Sequence, residues 1–285
     1  MAAGLLALSA CATAPAQVAS APPPPPKQYQ WLLGSGEAAV LSRQAYDGMV
    51  EHVTAALAAR KAGRAVDSAI FAPGATPGDP RWASCDAKPP AVVLDMDETA
   101  ILNTGANYDT ALRGDPPFDP ARWERWEQDG ATLVEPAPGA VDALARLRAA
   151  GVAIVFNSNR ENRFARQAVD ALRAAGLGDA KPGETLFLRG DIAPGSSKDP
   201  RRTAIAERYC VLAMAGDQLG DFSDAFNDKA LGVQQRRALA VAPGIAGKWG
   251  KGWFLLPNPM YGPGVAGGYD DLFPADKRWT PKGAN

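Results

Sequence analysis

The chain has 285 residues, is 46% hydrophobic and 21% charged, and carries a formal net charge of −1 at pH 7. This composition is typical of a folded protein, and the near-neutral charge gives no reason to expect a nucleic acid polymer as a partner. The single histidine and the three separated cysteines exclude a structural zinc cluster and disfavour a histidine-based catalytic triad, and no phosphate loop ending in Gly-Lys-Ser/Thr occurs.

The N-terminus contains a pattern for export. Residues 5–10 are a short apolar stretch that ends in small residues before Cys11, and LSAC at 8–11 resembles a bacterial lipobox. We therefore expect residues 1–10 to be a signal peptide and Cys11 to carry a lipid anchor. Such a signal begins with a positively charged segment, which residues 1–4 lack, so the start is truncated or the signal is weak. An unstructured alanine-rich tail is the alternative.

The segment after the cysteine is expected to be a tether. Residues 11–30 contain five consecutive prolines at 22–26, which favour an extended chain. Ala12 after the cysteine favours the outer membrane, by analogy with such lipoproteins, with the protein facing the periplasm or the cell surface. No stretch of the sequence is long and apolar enough to span a bilayer.

The rest of the chain, residues 31–285, is expected to form one domain with helical accessory parts at about 31–75 and 105–135. An apolar periodicity predicts a helix from 35 to about 62. His52 lies in this helix, before all the motifs described next, and we expect it on the helix surface or in its packing rather than in catalysis.

The most informative motif is VVLDMDET at 92–99. Its apolar part predicts a buried strand, which places Asp95 and Asp97 at the carboxyl edge of a sheet, where ligands bind in open α/β folds. An EF-hand loop is excluded, because its sixth and twelfth positions hold Ala100 and Ala106 rather than Gly and Glu. A solvated turn and an aspartate nucleophile beside a magnesium ion remain as interpretations.

Further strands and helices follow this motif. Apolar runs predict four more strands, at 152–156, 185–188, 211–215 and 253–256. Amphipathic patterns predict helices at 140–150, at 161–175 and from Asp199, as the N-cap, to about Tyr209. The alternation predicts an α/β fold with a Rossmann-like, doubly wound parallel sheet.

Polar residues at the ends of these strands supply the parts of a phosphoryl-transfer site. Asp95 would attack phosphorus and form an aspartyl phosphate, and Asp97 would protonate the leaving oxygen and then activate water. Ser158 and Lys198 would hold the phosphoryl oxygens. Asp217, together with Asp95, would bind Mg²⁺, which prefers oxygen ligands.

Asp221 could orient a metal-bound water or Lys198. Taken singly, these residues also have structural interpretations: Ser158 as a helix cap, Lys198 as a solvated lysine, and Asp217 and Asp221 as turn residues. Their joint order at successive strand ends favours the catalytic interpretation.

Four motifs, DMDET, SNR, SSKDPRR and GDQLGDF, occur in this order and are similar to those of the haloacid dehalogenase (HAD) superfamily. DxDET with GDxLxDF resembles subfamily IIIB, the class C bacterial acid phosphatases, many of which are outer-membrane lipoproteins. The resemblance covers about residues 30–280. It implies a sheet of order 5-4-1-2-3 with a small helical cap, Asp95 as nucleophile and Asp97 as acid and base.

The same resemblance implies a ligand set. The carboxylates of Asp95 and Asp217 and the backbone carbonyl of Asp97 would hold Mg²⁺. Ser158 and Lys198 would contact phosphate, and Thr99 of the first motif is expected to bind phosphate as well.

Two segments resemble the family's substrate pocket. Trp123 and Trp126 in PPFDPARWERW lie three residues apart and so on one helical face, and Tyr261 follows the last strand. In relatives, aromatic residues of such segments sandwich the apolar part of the substrate. Core packing is the alternative for the tryptophan pair. Asn103 is a further candidate for the pocket lining.

The function implied is an Mg²⁺-dependent acid phosphatase that hydrolyses small phosphomonoesters such as nucleoside monophosphates, a 5'-nucleotidase activity. Two alternatives remain open: a phosphotransferase that uses the same intermediate, and a non-catalytic surface-binding lipoprotein. A homodimer is compatible with the sequence.

The remaining cysteines and a pair of arginines have open interpretations. Cys85 precedes the first strand and Cys210 begins the fourth, and in this superfamily those strands are neighbours. A disulfide and two separate buried thiols are both compatible with these positions. Arg201 and Arg202 are expected on a solvated helix face.

Overall fold

The computed structural model describes residues 23–281, so the predicted signal peptide and Cys11 lie outside the described residues. The helices are α1 Lys27–Gly34, α2 Gly36–Lys61, α3 Thr104–Leu112, α4 Pro120–Asp129, α5 Ala140–Ala149, α6 Ala165–Ala174, α7 Asp199–Arg208, α8 Val233–Ala240, α9 Pro243–Ala246 and α10 Tyr269–Leu272. The strands are β1 Pro90–Leu94, β2 Ile101–Leu102, β3 Glu135–Pro136, β4 Ala153–Glu161, β5 Leu186–Arg189, β6 Cys210–Gly216 and β7 Trp253–Leu255. Among the helices within residues 23–281, none combines the length and apolar character that crossing a membrane requires.

Five strands form one parallel sheet in the order β5-β4-β1-β6-β7. The predicted α/β fold is therefore confirmed. β2 and β3 form a separate antiparallel pair, which the sequence analysis did not predict. The predicted order numbered only the five longer strands, whereas the observed order numbers all seven strands of the described residues. The same strands therefore carry different numbers in the two orders.

The sheet is covered on both faces because its central strand is apolar on both faces. Val92 and Leu94 of β1 belong to one apolar core, and Ala91 and Val93 belong to the other. Buried side chains of α2, α5 and α6 complete the first core, and those of α7 and β7 complete the second. Both faces of the sheet are thus fixed, and the loops at its carboxyl edge are left to build a site.

The long helix α2 begins and ends where the sequence predicts. The hydroxyl of Ser35, its N-cap, accepts a hydrogen bond from the backbone N–H of Ala38, and Ala62 is the C-cap. Met49 and Val53 are fully buried against the sheet. Burial of such side chains stabilises the fold by roughly 1.5–3 kcal/mol each.

The helix predicted from residue 161 begins later than expected. β4 continues to Glu161, which pairs with Arg189 of β5, and a short 3-10 turn at Asn162–Phe164 precedes α6. The additional strand pairing keeps the polar end of β4 extended. Residues 158–160 therefore belong to a strand at the sheet edge and not to a helix start.

The N-cap of α7 is Lys198 rather than Asp199, which is the first helical residue. The Asp199 carboxylate does not cap the helix because other donors occupy it. It accepts hydrogen bonds from the Arg202 side chain and from the backbone N–H of Asp224. The predicted capping role of Asp199 is therefore wrong by one residue.

A disulfide joins Cys85 and Cys210, whose Cα atoms lie 4.4 Å apart. It resolves the alternative that the sequence left open. Cys210 is the first residue of β6, at the end of the sheet opposite the loops that follow β1, β4 and β6. The bridge therefore fixes the segment before β1 to the sheet without touching the carboxyl edge.

Candidate active site

The carboxyl ends of β1, β4 and β6 meet at one edge of the sheet, as parallel pairing requires. Asp95 follows β1 directly, and its backbone N–H donates to the carbonyl of Ala215 in β6 at 3.0 Å. Asp217 follows β6. The two carboxylates therefore leave neighbouring strands at the same level.

Three carboxylates and one ammonium group converge at this edge. Asp95, Asp217 and Asp221 each offer a carboxylate oxygen, and these oxygens lie within 4.8 Å of one another. The Lys198 ammonium donates to Asp95 at 2.5 Å and to Asp221 at 2.7 Å. The Lys198 side chain is 7% exposed, so this cluster is largely shielded from water.

The charges of this cluster do not balance. Burial raises the pKa of Asp95 well above its ordinary value, Lys198 opposes the shift, and Asp221 and Asp217 reinforce it. Burial and then Asp221 raise the pKa of Asp217 to about 7. Burial disfavours the charge on Lys198, but Asp221 and Asp95 outweigh it, so the pKa of the ammonium is raised. The three carboxylates form a set of oxygen donors that fits a hard divalent cation, and one ammonium group lies beside them.

Asp217 is oriented by three side-chain donors. The hydroxyl of Thr99 donates to it at 2.8 Å, Asn258 donates at 2.8 Å and the Gln218 amide donates at 3.2 Å. Thr99 is fully buried, so the structure places its hydroxyl on Asp217 rather than toward a phosphate. This contact differs from the role that the sequence analysis gave to Thr99.

Asp97 is held by a residue that the sequence analysis missed. Arg160, in β4, donates to Asp97 through Nε at 2.9 Å and Nη2 at 2.8 Å, and its side chain is 1% exposed. The Asn103 amide donates to the same carboxylate at 3.1 Å, and the Ser158 hydroxyl lies 3.4 Å from it. The motif SNR at 158–160 could have indicated this contact. Residues two apart in a strand point to the same face, so Arg160 lies on the same face as Ser158.

Asn103 links this carboxylate to the accessory helices. Its carbonyl oxygen accepts hydrogen bonds from Arg160 at 2.9 Å and from the Trp126 indole at 3.2 Å. Asn103 is 1% exposed. Its place is therefore behind the site, where it positions other groups, and not on the predicted pocket surface.

Glu98 is a second buried residue without a predicted role. It adopts a left-handed conformation with φ of 53°, and its carboxylate accepts hydrogen bonds from Asn103, Asn107 and the Tyr261 hydroxyl. Glu98 is the glutamate of the DxDET motif, and this motif was the sequence feature that could have drawn attention to it. These contacts explain a strained backbone directly after Asp97.

A cavity of about 540 Å³ opens over these groups. Asp95, Lys198 and Asp217 line its floor, and Trp123 and Tyr261 line its walls. The Trp123 indole donates to the buried Glu127 at 2.6 Å, which fixes the ring. Two of the predicted pocket residues are therefore at the cavity.

Trp126 lies away from this cavity. A Cβ atom on Gly130 would overlap its ring, and one on Gly105 would lie 2.8 Å from it. The two glycines thus form a slot that holds the indole against the core, with its N–H on Asn103. The core-packing alternative describes Trp126 better than the pocket alternative.

Arg201 and Arg202 are buried rather than solvated as expected, and each is 2% exposed. Arg201 donates to the Ser158 carbonyl and the Asn159 side chain. Arg202 donates to Asp224, which itself accepts from the backbone N–H of Lys198 at 3.0 Å. The pair therefore ties the Lys198 loop to the ends of β4 and β6.

Comparisons with known proteins agree with this geometry. The family model described as HAD superfamily, subfamily IIIB (acid phosphatase) matches residues 44–264. The class C acid phosphatase from Bacillus anthracis is 26% identical to this chain, with a TM-score of 0.65 over 84% of this chain and 85% of that one. A structure of the Bacillus anthracis enzyme with tungstate bound is 25% identical, with a TM-score of 0.65 over 87% and 89% of the two chains.

The match covers most of the chain and includes every strand of the sheet together with Asp95, Asp97, Lys198 and Asp217. The protein thus belongs to subfamily IIIB of the HAD superfamily, the acid phosphatases, and is a phosphomonoesterase.

Proposed function

We propose that the protein hydrolyses small phosphomonoesters with Mg²⁺ through an aspartyl-phosphate intermediate on Asp95. The single observation that supports this most is the placement of the Lys198 ammonium between Asp95 and Asp221, at 2.5 and 2.7 Å, inside a largely buried acidic cluster. A structural ion pair needs one carboxylate. A third carboxylate and an open cavity above the cluster favour a site for a phosphate and a cation.

The chemistry has two steps. An oxygen of Asp95 attacks phosphorus, the bond from phosphorus to the alcohol oxygen breaks, and Asp97 gives its proton to that oxygen. Asp97 then takes a proton from a water molecule, which attacks the phosphorus and releases inorganic phosphate. Both carboxylates return to their initial states, so the cycle needs no other co-reactant.

The proposed cation is held by Asp95, Asp217 and the backbone carbonyl of Asp97, with Asp221 close enough to take part. Bound Mg²⁺ supplies positive charge that stabilises the phosphoryl oxygens in the transition state. Lys198 provides the other positive charge at the phosphate. Ser158 is fully buried beside Asp97, and its hydroxyl, which donates to that carboxylate at 3.4 Å, would turn to a phosphoryl oxygen in the proposed complex.

Nucleoside monophosphates are the proposed substrate class, together with similar esters whose leaving group has a flat apolar part. Trp123 and Tyr261 support this, because both rings line the cavity that contains Asp95. Oxyanion binding in the Bacillus anthracis enzyme, whose structure has tungstate bound, supports a phosphate subsite here.

We also propose that Cys11 carries a lipid anchor and that the enzyme acts at the bacterial outer membrane, on its periplasmic or surface face. The disulfide between Cys85 and Cys210 supports this location, because such bridges persist in oxidising compartments.

Phosphate release from a small aryl phosphate tests the proposed reaction. We expect wild type to be active, EDTA to abolish activity and added Mg²⁺ to restore it. Asp95→Asn should lose at least about a thousandfold, since it removes the nucleophile. Asp179→Asn, an exposed aspartate paired with Arg173, is the matched control and should behave as wild type.

Equal rates in wild type and Asp95→Asn, with and without EDTA, would contradict the proposal. Transfer to an added alcohol that exceeds release of free phosphate would support the phosphotransferase alternative instead.

A further inference from the structure

The helix α1 forms part of the wall of the catalytic cavity, although it precedes the family match, which begins at residue 44. Tyr29 in this helix lines the same cavity as Asp95 and Lys198. Tyr29 is 6% exposed, so it is a built-in part of the wall and not a loose surface residue.

Two side chains of α1 donate hydrogen bonds to the carboxylate of Asp115. The Tyr29 hydroxyl donates to Oδ1 of Asp115 at 2.7 Å, and the Gln28 amide donates to Oδ2 at 2.5 Å. Asp115 lies in the loop between α3 and α4 and also lines the cavity. The N-terminal helix is therefore joined by hydrogen bonds to the loop between α3 and α4, where both line the cavity.

The hydrogen bond between Tyr29 and Asp115, called the Tyr29–Asp115 bridge below, is held at the α1 end by packing. The Tyr29 ring belongs to a small apolar cluster with Leu32, Ala38 and Met260. Met260 directly precedes Tyr261, which also lines the cavity. α1 is thus fixed to the segment that carries a proposed substrate contact.

At the other end, the loop depends on the bridge. Asp115 has a φ of 58°, a left-handed conformation that costs free energy for residues other than glycine. The loop also carries Phe118, which lines the cavity and is 74% exposed, so its own packing does not fix it. The hydrogen bonds from α1 to the Asp115 carboxylate stabilise this conformation together with the backbone hydrogen bond from the Asp115 N–H to the Thr110 carbonyl at 3.1 Å.

We propose that the Tyr29–Asp115 bridge determines specificity for the leaving group by holding the loop with Phe118 as a wall of the cavity. This rests on the proposed function. The bridge makes no hydrogen bond to Asp95 or Lys198 among the described residues. Loss of the bridge should therefore weaken binding of a large ester and leave the phosphate subsite unchanged.

Calorimetric binding to the Asp95→Asn protein with Mg²⁺ tests this without turnover. Adenosine monophosphate is the large ligand and inorganic phosphate is the small one. Adding Tyr29→Phe should raise the Kd of adenosine monophosphate by about threefold to tenfold, the effect of one hydrogen bond. Asp115→Gly removes the acceptor and suits the φ of 58° at this position, and it should raise this Kd at least as much. The Kd of inorganic phosphate should change by less than about twofold.

A double-mutant cycle distinguishes the loss of the Tyr29–Asp115 hydrogen bond from a general loss of stability. Tyr29→Phe with Asp115→Gly should be no worse than Asp115→Gly alone, because Asp115→Gly already removes the acceptor of the Tyr29 hydroxyl. Tyr209→Phe is the matched control, since its hydroxyl has no hydrogen bond among the described residues and it lies at the opposite end of β6. It should leave both Kd values unchanged.

Equal Kd changes for both ligands, additive effects, or no binding of adenosine monophosphate by the parent would overturn the inference. Loss of the proposed function would look different. In that case wild type would release no phosphate, while the Kd ratio of the two ligands would still respond to the bridge.

Discussion

The carboxylate of Asp97 has more partners than a carboxylate at a strand end needs. Arg160 donates two hydrogen bonds to it, and Asn103 donates a third. In the proposed reaction Asp97 must first give a proton and then take one, so its orientation matters more than its charge alone. Nε and Nη2 of Arg160 both donate to Oδ1 of Asp97, and Nε lies 3.3 Å from Oδ2, so the guanidinium restrains the position of the carboxylate.

Arg160→Lys tests this orientation. The change keeps the positive charge and loses the two-pronged geometry, so we expect kcat to fall on the order of tenfold to a hundredfold with KM nearly unchanged. Steady-state kinetics over a pH series measure both values. Arg163→Lys, at an exposed arginine paired with Glu124, should leave kcat unaltered. A raised KM with wild-type kcat would show that Arg160 serves binding instead.

The only histidine of the chain gives a pH prediction that is independent of the active site. Burial lowers the pKa of His52 below its ordinary value of 6.5, Lys248 adds to the effect, and a hydrogen bond to the Leu212 carbonyl opposes it. The folded state therefore binds fewer protons than the unfolded state just below pH 6.5. Stability from this group is present above pH 6.5 and is lost as the pH falls through the folded pKa.

Urea unfolding measures this effect. The free energy of unfolding of wild type should fall more steeply between pH 6.5 and about pH 5 than that of His52→Gln, which keeps a donor for Leu212. NMR titration of the single imidazole gives the folded pKa directly. A value at or above 6.5 would refute the prediction.

The sequence predicted the main groups of the site because they follow strand ends. Asp95, Lys198, Asp217 and Asp221 needed only the rule that parallel strands end at one edge. Arg160 was given no role, although its place two residues after Ser158 was a signal, because its contact with Asp97 depends on the pairing of β1 with β4. Arg202 was placed on the surface for the same reason, since its partners come from distant loops.

Among the elements, α4 packs against the body of the domain through the Trp126 ring. The Trp126 indole fits between Gly105 and Gly130, and its N–H donates to Asn103, which in turn contacts Asp97. Hydrogen bonds through Asn103 therefore connect the accessory helix α4 to the carboxylate of Asp97.

Gly130→Ala tests this slot. The added methyl group would overlap the Trp126 ring, so we expect the free energy of unfolding to fall by about 1–3 kcal/mol. Gly247→Ala is the control, because no atom lies near its Cβ position and its φ of −70° suits any residue. It should change stability by less than about 0.5 kcal/mol. Equal urea midpoints for the two variants would show that the Trp126 ring does not pack closely against Gly130.

Element boundaries were predictable where local signals set them and not where pairing did. α2 has its Ser35 cap in the sequence. The end of β4 depends on the pairing of Glu161 with Arg189, and β2 and β3 have two residues each, too short for a periodic pattern. Those features require knowledge of neighbours in space.

At the scale of the whole molecule, one covalent bond joins distant parts of the chain. The disulfide connects Cys85, before β1, to Cys210 at the start of β6. The sequence could place the two residues near neighbouring strands but could not decide between a bridge and two thiols. The distance that decides it depends on the register of the whole sheet.

Replacing both cysteines by alanine should lower the free energy of unfolding by about 2–5 kcal/mol, because the unfolded chain loses a constraint. Activity at low temperature should persist, since the bridge lies at the end of β6 opposite Asp217. Urea unfolding with and without reducing agent measures the effect. A reducing agent that does not alter wild-type stability would contradict the prediction, and the double variant should not respond to it.

The proposed reaction requires that Asp95 becomes phosphorylated during turnover. The most direct test is mass spectrometry of acid-quenched Asp97→Asn protein after reaction with 4-nitrophenyl phosphate and Mg²⁺. This leaving group departs without a proton, whereas the second step needs the base, so the intermediate should accumulate. We expect one phosphoryl group on the peptide that contains Asp95. A phosphoryl group on another residue, or a wild-type rate in Asp95→Asn, would contradict it.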